Sequence, residues 1–468
     1  MGALYNVGEQ KIRPGVYRRY ENVGGGETPG AVYGVFAIAV HADIGPLGKV
    51  LSFGTEDIED VKKTYGTGGT VDAIQALFDG GATKVFVYRL GTGGTKASIT
   101  LNDADTTGLV TLTTKTETAT EFSVTIKSKL GSSGTKQLLV YTGTDLLETI
   151  EYDTDTTDSA ALVAAVNKSS EYLDATKVAD GLVADVSNSK LTDGAAPTVN
   201  TASYSAAFTA FEPYKWNYMV LDTDDTDVHA LVSAYMNRIF KNGALGVCIL
   251  GEPTSVEFDT RVAHAAAFND EKVIYLGSGY EDTNGNKVDG YYAIAKQAGI
   301  IGSLGSNESA THTVIPGAVN TLEVLKNSQY EEAIKSGMLL LSPNDEGQVW
   351  FDAAINTLIT PNKDQDEGWK KIRRTSTRFE MFDRIDRTLA PLIGKVDCDD
   401  IGVGDCVIKG QAVLDAMIAE GKLMDGATFA EDTTQKRGSD YAYFVIAADD
   451  KDSLEKIYLT YQFRFTAE

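Results

Sequence analysis

The chain has 468 residues, 43% hydrophobic content and a formal net charge of −24. This length allows two to four domains, and the apolar content can fill their cores, so we expect a folded protein. The negative charge argues against a sequence-independent nucleic-acid surface, because phosphate contacts need clustered Lys and Arg. No apolar run approaches the roughly 20 residues that span a bilayer, so we expect no membrane insertion.

Two further features bear on the compartment and on metal binding. Residues 1–10 lack the basic and apolar regions of a signal peptide, so we expect synthesis in the cytoplasm. The three cysteines, Cys248, Cys398 and Cys406, are too few for a disulfide framework and lack the spacing of a zinc site. We therefore expect free buried thiols and no metal role.

The first part of the chain alternates predicted strands and helices, as in a parallel sheet with crossover helices. It begins with a strand at 31–40, helices at 55–65 and 70–78, and a strand at 84–90. The alternation resumes after residue 200, with helices at 204–211, 226–242, 255–268 and 291–301 and strands at 216–221, 246–250 and 272–277. This predicts an open α/β middle domain made of residues 23–95 and 201–317.

Residues 96–200 differ in composition from the rest of the chain. They contain no arginine, are rich in threonine, and have short alternating runs at 97–101, 110–115, 123–129, 136–141 and 146–152. The runs predict strands, and residues 159–169 predict one helix. We therefore expect a small β domain inserted into the middle domain, with residues 194–197 as its exit linker.

Beyond residue 317 the order of elements changes again. The sequence predicts a helix at 330–335, a hairpin of 338–342 and 348–358, a long helix at 366–392, a helix at 411–419 and a strand at 441–447. These elements predict an α+β assembly domain over residues 318–452, whose small sheet offers an edge to strands from neighbours. The fold class is thus a multidomain combination of α/β and α+β.

Each end of the chain carries a predicted strand, in an N-terminal arm (1–22) and a C-terminal arm (453–468). Pro14 and Gly15 break any helix before the first strand, and the last strand alternates apolar and polar residues at period two. Two alternatives remain for the last strand: it pairs within its own domain, or it is exchanged between subunits. The candidate arm residues are Val16, Tyr17, Arg18, Arg19, Tyr20, Ile457, Tyr458, Leu459, Tyr461, Phe463 and Phe465.

No catalytic constellation emerges from the sequence. The glycine-rich runs at 66–70 and 91–95 lack both the P-loop pattern and the dinucleotide-binding pattern, which favours turns. The four histidines have no partner at metal-ligand spacing. Acidic runs at 153–158 and 222–227 favour helix caps and solvated surface over a cation site, and residues 282–286 favour an Asn-Gly turn over a calcium loop.

The predicted long helix carries the most informative charged feature. Its candidate binding residues are Lys370, Lys371, Arg374 and Arg378, above a buried stripe that includes Ile372 and Phe379. On an acidic chain this basic stripe has two explanations. Either acids of the same chain, such as Glu380, Asp383 and Asp386, neutralise it, or it is presented to an acidic partner.

Several short segments, in this order, resemble the sheath proteins of contractile phage tails, R-type bacteriocins and related injection machines. They lie at 13–17 (RPGVY), 347–351 (GQVWF), 355–358 (INTL), 372–374 (IRR) and 454–458 (LEKIY), so the resemblance covers nearly the full length. The insertion, which ends in LTDG at 191–194, resembles the insertion in sheaths of Gram-positive prophage tails and of clostridial R-type bacteriocins such as diffocin.

The resemblance implies a structural role without a cofactor. In such a family, the arms add strands to neighbouring subunits and join hexameric rings into a helical sleeve around an inner tail tube, and the basic helix faces that tube. Contraction of the sleeve is then a rigid-body rearrangement of subunits. The implied partners are further copies of the chain, the tube protein, and the baseplate and terminator proteins. The implied location is a phage or bacteriocin tail particle assembled in the bacterial cytoplasm.

Two other classes of protein remain as alternatives. The first is a cytosolic, oligomeric α/β enzyme with its site at the tips of the middle sheet. The absence of a recognised catalytic constellation counts against it. The second is a surface-array protein, and the absence of a signal peptide counts against that class.

Overall fold

The computed structural model describes residues 33–132 and 134–464. The candidate arm residues Val16, Tyr17, Arg18, Arg19, Tyr20 and Phe465 therefore lie outside the described residues. The described chain divides into two compact units: residues 33–380 with 450–464, called the large unit, and residues 381–449, called the small unit. The sequence placed its domain boundaries elsewhere, at 317/318 and 452/453.

The elements have the following bounds. The strands are β1 (Val35–Val40), β2 (Val50–Gly54), β3 (Lys84–Arg89), β4 (Ser98–Asn102), β5 (Gly108–Thr114), β6 (Phe122–Ser128), β7 (Thr135–Thr142), β8 (Asp145–Asp153), β9 (Leu173–Lys177), β10 (Val186–Lys190), β11 (Tyr218–Val220), β12 (Val247–Gly251), β13 (Val273–Leu276), β14 (Tyr280–Asp282), β15 (Lys287–Val288), β16 (Ala318–Thr321), β17 (Met338–Leu339), β18 (Leu341–Pro343), β19 (Val349–Phe351), β20 (Thr428–Glu431) and β21 (Phe444–Ala447). The α-helices are α1 (Ile58–Tyr65), α2 (Asp72–Asp79), α3 (Ser159–Ser169), α4 (Thr201–Phe211), α5 (Thr226–Lys241), α6 (Phe258–Phe268), α7 (Gly290–Ser303), α8 (Asn327–Lys335), α9 (Ile372–Leu389) and α10 (Asp400–Ala419). Short 3₁₀ helices flank α9 at Glu367–Lys370 and Ala390–Leu392.

The large unit is built on a seven-stranded sheet in the order β17-β13-β12-β11-β1-β3-β2. All neighbours pair in parallel except β2, which runs antiparallel to β3 at the edge. Every residue of β1 is buried, as expected for a continuous apolar strand covered by helices on both faces. The predicted α/β sheet is therefore confirmed, and β2 is an edge strand that the sequence did not predict.

Helices cover both faces of this sheet. On one face, Val35, Ala37 and Ala39 of β1 join a buried cluster with residues of α4, α5 and α6. On the other face, α7 packs against β11 and β12 and lies beside α2. A side-chain carbon at Gly302 of α7 would come within 2.4 Å of the Phe36 ring, so glycine allows the helix to approach the sheet closely.

The inserted segment forms two small antiparallel sheets, β10-β6-β7-β8 and β4-β5-β9, together with α3. Its buried cluster includes Leu112, Val124, Val140 and Leu162. The two ends of the segment run side by side, because isolated bridges pair Thr92 with Thr198, Thr95 with Ala195 and Ser98 with Thr192. The predicted strands and the predicted helix are confirmed, whereas the sequence analysis did not predict the five-residue strands β9 and β10.

Three predictions for the region after residue 317 were wrong in detail. The hairpin β18–β19 forms, but its second strand ends at Phe351, because Asn356 and Thr357 beyond it are buried and bond to backbone at Trp369 and Asp270. Residues 338–339 join the seven-stranded sheet beside β13. The long helix is interrupted at Lys371, whose extended backbone forms a bridge with Ile355.

The small unit contains the end of α9, α10 and the two-stranded sheet β20–β21. Its core is a cluster that includes Met381, Ile385, Leu414, Met417 and Phe429. Helix α10 begins eleven residues before the predicted start, at Asp400, after Asp399 caps it. The prediction failed there because glycines at 402, 404 and 410 lower helix propensity, although Gly410 gives Phe429 room to pack.

Candidate assembly surfaces

The C-terminal arm is exposed from residue 454 to residue 464. Ile457, Leu459, Tyr461 and Phe463 are 70%, 69%, 74% and 82% exposed, and Tyr458 is 88% exposed. No strand is assigned between residues 448 and 464. Among the described residues the predicted terminal strand pairs with no other strand, and the choice between pairing in its own domain and exchange between subunits stays a prediction. A strand needs a partner ladder, and residues 451–464 have none within the part of the chain that the structure describes.

The start of this exposed segment is held in place. Asp450 has a side chain only 6% exposed, and it accepts hydrogen bonds from Arg374 Nε and Nη2 at 2.7 and 2.9 Å. Arg378 Nη2 donates a third hydrogen bond to Asp450, at 3.0 Å. The fork of Arg374 thus meets both oxygens of one buried carboxylate, a geometry that fixes direction as well as distance.

A second set of ion pairs lies beside the first. Lys371 Nζ lies 2.7 Å from an oxygen of Asp452 and 3.0 Å from an oxygen of Glu455. The acids at 450, 452 and 455 therefore all contact the basic stripe at the start of α9. We call these contacts the anchor of the C-terminal arm: Asp450, Asp452 and Glu455 on one side, and Lys371, Arg374 and Arg378 on the other.

The remaining basic contacts are local. Both guanidinium NH2 groups of Arg378 donate to Asp366, at 2.9 and 3.0 Å, and its guanidinium carbon lies 4.6 Å above the Trp369 ring. Lys370 pairs with Glu367 at 2.6 Å. All four predicted basic residues thus have acidic partners from the same chain. Of the suggested acids, Asp383 pairs with Arg387 of the same helix at 2.7 Å, but the partners of these four residues are other acids. Nothing in the sequence spacing links helix residues to acids about 75 positions away.

The protonation equilibria agree with this geometry. Burial by itself would raise the pKa of Asp450, but the hydrogen bonds from Arg374 and Arg378 outweigh it and hold that pKa below its usual range. The hydrogen bond to Asp450 raises the pKa of Arg374. For Lys371, burial opposes the charged form, yet Asp452 and Glu455 raise its pKa. These shifts favour the charged forms of Asp450, Arg374 and Lys371.

A possible acceptor for an extra strand lies in the small unit. Strands β20 and β21 form a sheet of two, so within the described residues each strand has only the other as a partner. Val445 and Ile446 of β21 are 49% and 36% exposed. An open edge with apolar side chains is a site at which another strand can add.

The enzyme alternative predicts a site at the carboxyl ends of the parallel strands. There His41 Nδ1 lies 2.8 Å from Asp222, a side chain with no solvent exposure, and the hydroxyls of Tyr204 and Thr70 also donate to Asp222. The hydrogen bond to Asp222 raises the pKa of His41. Sequence reasoning missed this pair, because its members are 181 positions apart.

This cluster does not have the order of a catalytic triad. The Thr70 hydroxyl donates to the carboxylate rather than to the imidazole, so the His41 ring is not placed to activate it as a nucleophile. A second pair, His264 and Glu252, also contains no nucleophile. Across residues 33–132 and 134–464, no group of His, Cys, Asp and Glu is arranged to hold a metal ion. In the same residues, no helix is both long and apolar enough to cross a bilayer.

The fold described above is that of tail sheath proteins. A sheath tail protein from Desulfitobacterium hafniense superposes with a TM-score of 0.72 at 18% identity, over 93% of this chain and 100% of that one. A sheath tail protein from Listeria innocua gives 0.68 at 16% identity, over 90% and 96%. The helical sheath of the anti-feeding prophage in its contracted state gives 0.54 at 11% identity, over 97% and 99%.

Residues 198–357 match the family model described as the phage tail sheath protein central domain. None of the curated protein sequences matches the chain. The central segment and the fold together confirm the resemblance to tail sheath proteins that the sequence motifs indicated. They also confirm the mixed α/β and α+β fold class.

Proposed function

We propose that the chain is the structural sheath subunit of a contractile injection machine. It polymerises into a helical sleeve of hexameric rings around an inner tube, and contraction of the sleeve drives the tube through a target cell envelope. The observation that carries this proposal is the combination of a tail sheath fold with an exposed, strand-patterned C-terminal arm. The partners are other copies of the chain, the tail tube protein, and the baseplate and terminator proteins.

In this proposal, the C-terminal arm becomes a strand only when it reaches a neighbouring subunit. The open edge of β20–β21 in that neighbour supplies the missing ladder. An added strand contributes on the order of five main-chain hydrogen bonds at about 1 kcal/mol each, together with burial of its apolar face. Repeated around each ring, such links keep subunits connected while they move as rigid bodies. No cofactor or bond hydrolysis is needed during firing.

The same proposal gives the whole basic stripe, including Lys370, a role in contact with the inner tube. In an assembled sleeve, the stripe of Lys370, Lys371, Arg374 and Arg378 lies on the side toward the inner tube. What supports this placement is the concentration of positive charge on a chain with a net charge of −24. Because each of these residues already has an acidic partner in the single chain, contact with the tube requires some of these pairs to be exchanged.

Negative-stain electron microscopy of the purified protein tests the proposal, first alone and then after mixing with its candidate tube protein. We expect hollow, striated sleeves in at least one of the two conditions. Small closed oligomers under both conditions would contradict the sheath function. They would favour the α/β enzyme, and the His41–Asp222 cluster at the sheet tips would then be the place to begin substrate screening.

A further inference from the structure

Among the described residues, the ion pairs of the C-terminal segment with the rest of the subunit end at Glu455. Up to Glu455, its acids are held by the basic stripe, whereas beyond Glu455 the side chains of the arm are exposed. We propose that Arg374 and Arg378, with Lys371, are positioning residues that anchor the base of the C-terminal arm, so that the arm leaves each subunit from a fixed point toward the neighbour that receives it. This inference rests on the proposed sheath function, because it assigns the anchor a role in assembly.

The geometry of Asp450 supports a positioning role. A carboxylate with a side chain only 6% exposed is costly to bury unless its oxygens are paired, and both oxygens are paired here. Two arginines one helical turn apart hold it, and Arg378 also donates to Asp366. The backbone at residue 450 is thereby tied to the rigid helix α9.

The position of the anchor determines how far the arm can search. Residues 456–464 can span roughly 30 Å when extended. If the chain were free from residue 450 onward, the same arm would start from a variable point and lose more conformational freedom on docking. An anchor next to the arm therefore raises the effective concentration of the arm at one acceptor, although the anchor itself does not contact that acceptor.

The structure also separates this role from tube binding. The donors of Arg374 and Arg378 that face Asp450 are already occupied, so an acidic tube would have to displace Asp450 to use them. The two roles predict opposite results for one substitution. Asp450→Lys adds positive charge to the stripe, which favours an acidic partner, but it destroys the anchor. Arg374→Glu harms both roles.

The first experiment counts sleeves by negative-stain electron microscopy for the wild-type chain, Arg374→Glu and Asp450→Lys, with and without tube protein. We expect both variants to form about tenfold fewer sleeves, as for loss of one pair of charge-assisted hydrogen bonds. Lys335→Glu is the matched control, because Lys335 is exposed and its ion pair, with Glu331 of its own helix at 3.7 Å, lies outside the anchor. Wild-type or increased sleeve numbers for Asp450→Lys would overturn the anchor.

A second experiment tests the anchor without any assembly. Cys398 and Cys406 are replaced by serine, spin labels are attached at Lys363→Cys and Lys456→Cys, and the distance between them is measured by pulsed electron paramagnetic resonance on the isolated subunit. We expect a narrow distribution for the parent and for Lys335→Glu, and a broad one when Arg374→Glu or Asp450→Lys is added. A distribution that is equally broad in the parent would overturn the anchor.

The two readouts distinguish failure of the anchor from failure of the proposed function. If the parent gives a narrow distance distribution but no condition yields sleeves, the anchor stands and the sheath function fails. If sleeves form normally from variants with broad distributions, the sheath function stands and the positioning role fails. Thermal unfolding of each variant, with a midpoint close to that of the wild type, shows that the subunit remains folded.

Discussion

The first strand of the large sheet and the C-terminal arm are both rich in apolar side chains and have opposite surroundings. All residues of β1 are buried by other parts of the same chain, and Phe36 and Ile38 have no solvent exposure. In the arm, Leu459 and Phe463 are 69% and 82% exposed. The difference teaches that β1 has all its partners among the described residues, whereas the arm has no partner strand there, as the proposed strand exchange requires.

The largest effect on assembly is expected from deleting the C-terminal arm. Deleting residues 454–468 leaves the anchor residues at 450 and 452 and the described cores intact, and we expect a folded subunit that forms no sleeves. The reason is that the deletion removes the strand donor and, among the described residues, no buried side chain of either core. Electron microscopy measures the sleeves, and circular dichroism measures the folding. Normal sleeves from the truncated protein would disprove strand exchange.

A matched pair of variants sharpens this result without shortening the chain. Leu459→Ser, Tyr461→Ser and Phe463→Ser together alter the apolar face of the arm. Thr460→Ser, Gln462→Ser and Arg464→Ser together alter the opposite face. We expect the first triple variant to lose sleeves and the second to keep them. Equal loss in both would show that the alternating pattern of the arm does not matter for docking.

A substitution in the seven-stranded sheet region should affect the folding of the subunit instead of its assembly. Asp222→Ala removes a fully buried acceptor and leaves the hydroxyls of Tyr204 and Thr70 unpaired. We expect the free energy of unfolding to fall by about 3 kcal/mol, measured by chemical denaturation. Asp224→Ala, at an exposed position, is the control and should change it little. An Asp222→Ala subunit as stable as the wild type would show that this buried cluster does not stabilise the sheet.

Lowering the pH tests the stability of the small unit, which contains the proposed acceptor sheet β20–β21. Hydrogen bonds from Arg384 and then from Lys422 lower the pKa of Glu420 from 4.5 to about 2. Because the pKa is lowered in the folded state, the stabilisation is complete above pH 4.5 and is lost as the pH falls toward 2. We therefore expect the stability difference between wild type and Glu420→Gln to shrink over that range. A difference independent of pH would contradict this ion pair.

The smallest effect is expected from removing the insertion. Its ends lie side by side at the Thr92–Thr198 and Thr95–Ala195 bridges. Replacing residues 96–194 by a short Gly-Ser linker should therefore keep these two segments paired. The insertion also has its own buried cluster, although Ile44 of the large unit joins it. We expect sleeves of normal length by electron microscopy. Insoluble or unfolded protein would show that the insertion is not a separate domain.

Much of the fold could be predicted because its signals are local. The buried strands β1 and β3 have continuous apolar sequences, and α3 matches its predicted bounds at both ends. Predictions failed where distant contacts override local pattern. Lys371 is extended because Ile355 bridges to it, and buried Asn356 satisfies its amide with the carbonyl oxygen of Trp369.

The candidate surfaces were predictable only in part. Alternation along the arm is a local signal, and so is the basic stripe of α9. The pairing of Arg374 with Asp450 is not local, because it joins residues 76 positions apart. The acidic run at 449–452 has the composition of a solvated tether, and only the three-dimensional structure shows that Asp450 is buried against the helix.

The most direct test of the central claim is a cryo-electron microscopy structure of the assembled sleeve, at a resolution that traces the C-terminal arm. Strand exchange predicts that residues 457–463 form a ladder with the edge of β20–β21 in a neighbouring subunit, while Asp450 stays paired with Arg374 in its own subunit. An ordered sleeve in which the arm folds back on its own subunit, or pairs with no strand, would contradict the account.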